Sequence, residues 1–180
     1  MLTIEIPATE KFDELKGEFI YAKEQTLQLE HSLISISKWE SKWCKAFLGK
    51  AEKTPEEIID YIKCMSLNPN VDEGVYSCLS QANLTAINDY IAAPMTATYF
   101  SEDKHGRGGR EVVTAELIYY WMIALNIPFE CQKWHLNRLL TLIRVCNIKN
   151  APPKKMSRRE LASRNARLNA ARRQQLNTNG

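Results

Sequence analysis

Residues 32–47 read SLISISKWESKWCKAF, and the spacing of their apolar side chains decides the fold class. Leu33, Ile36, Trp39, Trp43 and Phe47 recur at steps of three and four. That is the period of one face of an α-helix, which turns once in about 3.6 residues. Lys38, Glu40, Lys42 and Lys45 fall between them as the expected outward positions. The spacing predicts a helix from Ser32 that Gly49 closes. The run Ile34-Ser35-Ile36 alone suits a strand, but the tryptophan spacing overrules it.

Upstream the period is two. Leu2, Ile4 and Ile6 alternate with Thr3 and Glu5, which predicts a short strand with one buried face, ended by Pro7. Phe19-Ile20-Tyr21, with Gly17 before it as a breaker, favours a second strand. Leu27 and Leu29 alternate with Gln28 and Glu30 and suggest a third. The stretch from Phe12 to Tyr21 is ambiguous as a whole, so the expectation is a sheet of two or three strands.

Downstream, helical signals dominate. Thr54-Pro55-Glu56-Glu57 combines a capping threonine, proline at the first helical position and a glutamate placed to close a capping box. Ile58, Ile59, Ile62 and Met65 then form the expected inward stripe, and Asn68-Pro69-Asn70 stops it. A short helix over 72–80 presents Val75, Tyr76 and Leu79; another opens at Asn83 or Thr85, turns Ile87, Tyr90 and Ile91 inward and ends at Pro94. Residues 98–110 form a polar loop rich in glycine and charge. Thr114 caps a helix carrying Leu117, Ile118, Trp121, Met122 and Leu125. A last helix is expected from about Glu130 to Cys146, apolar over much of its circumference and therefore central or covered by a partner.

Ala151-Pro152-Pro153 marks the domain boundary. The expected fold class is mainly α (α+β): a helical domain, 1–150, with a small N-terminal β element, and a basic C-terminal tail, 151–180. The charge is divided accordingly. Residues 154–180 carry eight lysines and arginines against one glutamate, a net +7, so the other 153 residues hold −4 of the total +3. Ser157 and Glu160 have capping-box spacing, and the alanines and arginines of 162–173 favour helix. Such a tail suits nucleic-acid phosphates, an acidic protein surface on which it folds, or plain solvation. It lacks the aromatic residues that stack single-stranded bases. Its spaced leucines favour a protein groove over a simple charge tether.

The 180 residues are 44% hydrophobic and 25% charged, ordinary for one globular domain with an appendage. The longest apolar run, 117–127, is far short of the ~20 residues a membrane helix needs. The N-terminus lacks the basic start and apolar run of a secretory signal. The cysteines 44, 64, 78, 131 and 146 are odd in number and widely spaced, which points to a reducing compartment rather than a disulfide framework.

No acid, base and nucleophile converge in the sequence, which points away from an enzyme. Cys131 and His135 have half-site metal spacing on one helical face, but no second pair completes a ligand set, so neither metal nor cofactor is expected. His31 reads as structural, as does Cys44. Gly106-Arg107-Gly108-Gly109-Arg110 lacks the Lys-Ser/Thr that follows in a phosphate-binding loop. Trp39, Trp43, Trp121 and Trp134 sit on helical apolar stripes and read first as core.

Three stretches carry a resemblance: LEHSLISISKWESKW at 29–43, IPFECQKWHLNRLL at 127–140, and SRNARLNAARRQQLNTNG at 163–180. Together they resemble tail assembly chaperones of long-tailed (siphovirus-type) bacteriophages. The resemblance implies a non-enzymatic protein of the host cytoplasm, absent from the finished virion. It would cover the helical tape measure protein and help recruit tail tube protein subunits. Genes of that family often use a programmed frameshift to make a longer product, and an A-rich slippery codon run could lie at Lys154-Lys155. The expected partner-binding residues are physical choices: Trp39, Trp43, Trp134 and Leu140 at the core or contact surface, and Arg164, Arg167, Arg172 and Arg173 on the tail. Two alternatives stay open, a nucleic-acid-binding accessory protein using the tail and a structural connector of the virion. Self-association also stays open.

Overall fold

The computed structural model describes residues 1–13, 17–100, 112–152 and 157–177. It divides into two compact units, Met1–Ile148 and Lys149–Gly180. The fold is mainly α with a small N-terminal β element. Four short strands come first: β1 (Leu2–Ile6), β2 (Thr9–Asp13), β3 (Glu18–Ala22) and β4 (Gln25–Leu29). Six helices follow in the first unit's span: α1 (Leu33–Trp43), α2 (Pro55–Met65), α3 (Glu73–Ser77), α4 (Gln81–Ala92), α5 (Ala115–Ala124) and α6 (Leu136–Asn150), with a 3-10 turn at Phe129–Lys133. Helix α7 (Arg158–Leu176) belongs to the second unit.

Among the described residues the four strands form two two-stranded sheets, within the expected sheet size. β1 pairs antiparallel with β4 and β2 with β3. The register is continuous: between Ile6↔Gln25 and Thr9↔Ala22 neither strand gains or loses a residue. The two ladders therefore belong to one ribbon. Pro7 interrupts it, because proline supplies no ladder N–H, but the ribbon resumes beyond. Ile4, Ile6, Leu27 and Leu29 bury one face, as their alternation requires. The segment after α2 docks on the free edge of β4: Glu30 N–H donates to the Met65 carbonyl at 2.9 Å and Leu67 N–H to the Gln28 carbonyl at 2.8 Å. Asn68 clamps this strap, accepting from Gln28 N–H at 2.6 Å and donating to the Thr26 carbonyl at 3.1 Å.

Helix α1 lies at the centre and packs against α2 and α5. Leu33, Ile36 and Trp39 are buried, as the opening stretch predicts. Burying each such side chain contributes roughly 1.5–3 kcal/mol. The Trp39 indole N–H donates to the Glu57 carbonyl at 2.8 Å, which fixes α1 on α2. The helix stops at Trp43, not at Gly49, because Cys44 turns into the left-handed region at φ 52° and its N–H returns to the Glu40 carbonyl. Phe47 still reaches the core, from the following turn rather than from the helix.

Three other boundaries differ from expectation. On α2 the buried positions are Glu57, Asp60, Tyr61, Ile62 and Met65, while Ile58 is exposed; the inward face carries two carboxylates that pair with the exposed lysines Lys45 and Lys42. Ser80 caps α4, three to five residues earlier than expected, and α3 ends at Ser77. The helix expected from Glu130 is split: a 3-10 turn ends at Lys133, Trp134 is extended, and α6 starts at Leu136. The break arises where His135 pairs with Ser32 in a β-bridge and the His31 carbonyl accepts from Leu136 N–H at 2.7 Å. The glycine-rich run 106–110 and Lys154-Lys155 lie outside the described residues.

Candidate functional site

Buried polar side chains hold the first unit together. Glu40, expected to face outward, is buried. Its carboxylate accepts from Phe47 N–H at 2.7 Å and from Ala115 N–H at 2.7 Å. It thus ties the end of α1 to the start of α5, where first-turn N–H groups lack helical partners. Glu57 closes the capping box with Thr54 and pairs with Lys45; the Lys45 ammonium holds its carboxyl below the usual range. Asp60 pairs with Lys42 and accepts from the Trp43 indole at 2.9 Å. Burial pushes the Asp60 carboxyl up, but these partners outweigh it and the net shift is downward.

A second cluster joins β4, α2, α4 and the start of α6. His31 Nδ1 is hydrogen-bonded with the Tyr61 hydroxyl at 2.5 Å, and the rings of His31 and His135 meet edge to face at 5.1 Å. Burial, reinforced by the neighbouring His135, lowers the His31 pKa to about 4. His135 accepts from Asn137 N–H at Nδ1 and donates from Nε2 to the Tyr90 carbonyl at 3.0 Å. Burial lowers its pKa as well. Both imidazoles are neutral at pH 7, and each is engaged in holding backbone or ring. The expected placement of Cys131 and His135 on one helical face does not occur: Cys131 is buried in the 3-10 turn and His135 precedes α6. Among the described residues no three His, Cys, Asp or Glu side chains gather as metal ligands.

The open surface lies elsewhere. A groove of about 840 Å³ runs between α2, α4 and the segment 47–53. Its apolar lining includes Leu48, Ile58, Ile62, Leu84, Ile87 and Ile91. Leu48 and Ile58 are exposed there, at 38% and 43%. Lys50, Glu52 and Lys53 also line it, and the Lys53 ammonium sits 4.5 Å from the centre of the Phe47 ring. A smaller apolar area occurs on α5, where Tyr120 and Ile123 are exposed one turn apart and Tyr119 stacks against Phe129.

The expected contact residues are scattered across these features. Trp39 is wholly core. Trp43 is half-buried and lines a separate depression of about 500 Å³ with Ile59 and Asp60. Trp134 is half-buried with the Arg138 guanidinium 4.1 Å from its ring centre. Leu140 is half-buried against the core. None of the four lines the α2–α4 groove. Arg164, Arg167, Arg172 and Arg173 all lie on α7, whose residues are exposed throughout. Sequence reading missed the groove because Ile58 fits the helical stripe and was assigned inward; the polar residues Glu57 and Asp60 displaced it.

No family model, curated protein or solved structure matches this chain. Among the described residues no helix is long and apolar enough to cross a membrane.

Proposed function

We propose that this protein is a non-enzymatic tail assembly chaperone of a long-tailed phage, acting in the host cytoplasm. Its α2–α4 groove would hold apolar helical faces of the tape measure protein until tail tube subunits enclose them. The observation that carries the reading is the groove itself: a folded body leaves Leu48 and Ile58 open beside an apolar floor. A helix-in-groove contact takes apolar anchors at i, i+3, i+4 and i+7, which a long helical client supplies repeatedly. Lys50 and Lys53 outnumber Glu52 among the charged residues of the groove and favour acidic residues flanking those anchors. The sequence resemblance supports the same partner.

Co-expression with a tagged tape measure segment tests this. Leu48→Glu combined with Ile58→Glu changes two exposed positions, so the far-UV spectrum should stay unchanged while capture of the client falls at least about tenfold. Undiminished capture by the double variant would refute groove binding. A virion connector predicts instead that the chain is present in purified particles.

A further inference from the structure

Helix α7 has an unusual charge arrangement. It carries six arginines and one glutamate over 19 residues, opens with a complete Ser157–Glu160 capping box and closes at Asn177 in the left-handed conformation. None of its residues is buried. At 3.6 residues per turn, Arg158, Asn165, Asn169 and Arg172 share one face, which Leu176 joins at the last turn. Arg159 and Arg173 fall on one flank of that face and Arg164 on the other, with Arg167 behind. Glu160 lies on the rear side, near Arg164 and Arg167. Leu161, Leu168 and Leu176 alternate with Asn165 and Arg172 rather than forming a continuous apolar stripe.

This distribution discriminates among partners. The expectation that these leucines suit a protein groove is not carried by the helix: a groove or a membrane interface needs an uninterrupted apolar face, and on α7 Asn165 and Arg172 break it. A flat acidic protein surface would engage one flank and leave the other arginines in water. Single-stranded nucleic acid is bound by stacking, and α7 has no aromatic residue. A-form RNA has a major groove too deep and narrow for side chains to read. The major groove of B-form DNA, about 12 Å wide, admits a helix of 10–12 Å diameter and sets phosphates along both flanks. The helix is about 28 Å long, close to one turn of the duplex. Asn and Gln are the side chains that bond adenine edges, and Arg bonds guanine.

We propose that α7 seats in the major groove of duplex DNA, with Arg159, Arg164 and Arg173 on flanking phosphates and Asn165, Asn169 and Arg172 toward the bases. The client groove on the body is a separate surface, so either assignment stands or falls without the other.

Fluorescence anisotropy with the full chain and a labelled 20-base-pair duplex is the test. Three phosphate contacts should weaken binding roughly 40-fold between 50 and 200 mM salt. Arg159→Gln/Arg172→Gln/Arg173→Gln, which keeps good helix formers and removes two phosphate contacts and one base contact, should cut affinity on the order of 30-fold or more and flatten the log–log salt slope by about 1.8. The corresponding lysine variant should keep most of the salt slope. Leu48→Glu/Ile58→Glu should bind DNA normally. The proposal is overturned by absent duplex binding at 50 mM salt, by polyglutamate, RNA duplex or single-stranded DNA binding as tightly, or by an unaffected triple glutamine variant.

Discussion

His31 sits at the centre of the first unit as a neutral base among Tyr61, His135 and the Phe47 ring. Its folded pKa of about 4 is below the ordinary 6.5. Between those values the unfolded chain takes up a proton that the folded chain refuses. Stability is therefore complete above pH ~6.5 and declines as pH falls toward 4. The loss between pH 7 and pH 5 should be on the order of 2 kcal/mol, with His135 adding in the same direction. The lowered carboxyls of Glu57 and Asp60 act in a different window: their contribution is present above the unfolded carboxylate range and is lost below it. Urea titrations at pH 7, 6 and 5 should show the decline in the parent and a shallower one in His31→Gln; parallel profiles would remove His31 as its source. Little of this was legible in the sequence. His31 reads as structural, but its partners come from Tyr61 and His135, far along the chain. Glu40 reads as a surface charge because its second partner, Ala115 N–H, is 75 residues away.

At the level of elements, what local chemistry decides was legible and what tertiary contact decides was not. The capping boxes at Thr54 and Ser157 were readable because both halves lie three residues apart. The period-two alternation located β1 and β4, yet β2 was hidden because its partner β3 had to be in place first. Helix α1 was placed by its tryptophans but not ended by them: the stop is made by Cys44, whose side chain gives no warning of a left-handed turn. That conformation is costly for any residue with a Cβ and free for glycine. Cys44→Gly should therefore stabilise the protein by about 1 kcal/mol, raising the melting temperature by roughly 3 °C. Differential scanning calorimetry measures the shift, and a lower melting temperature would contradict this account of the α1 terminus. The α2–α4 groove was illegible for a related reason. Periodicity marks Ile58 as apolar at a helical step; it takes the ion pairs of Glu57 and Asp60 to show which way the helix is rolled.

Over the whole molecule, charge is divided more sharply than the total suggests. The first 153 residues carry −4 and the remainder +7. Removing residues 154–180 should leave the melting temperature within about 1 °C, since α7 contributes no buried residue. The same truncation should move the protein from a cation exchanger to an anion exchanger at pH 7. A large fall in melting temperature would mean that the tail stabilises the body after all. The division into an acidic body and a basic helix was the most readable property of the sequence, because charge counts need no contacts. The continuous ribbon has a different consequence, for synthesis. Its strands leave the ribosome before anything that covers them, since the strap completing the β4 edge spans residues 65–68. At 5–20 residues per second, the open backbone edge of β4 waits on the order of 2–8 s for that segment to be made. The nascent chain is most prone to aggregate in that interval, and slowing translation between codons 30 and 68 prolongs it.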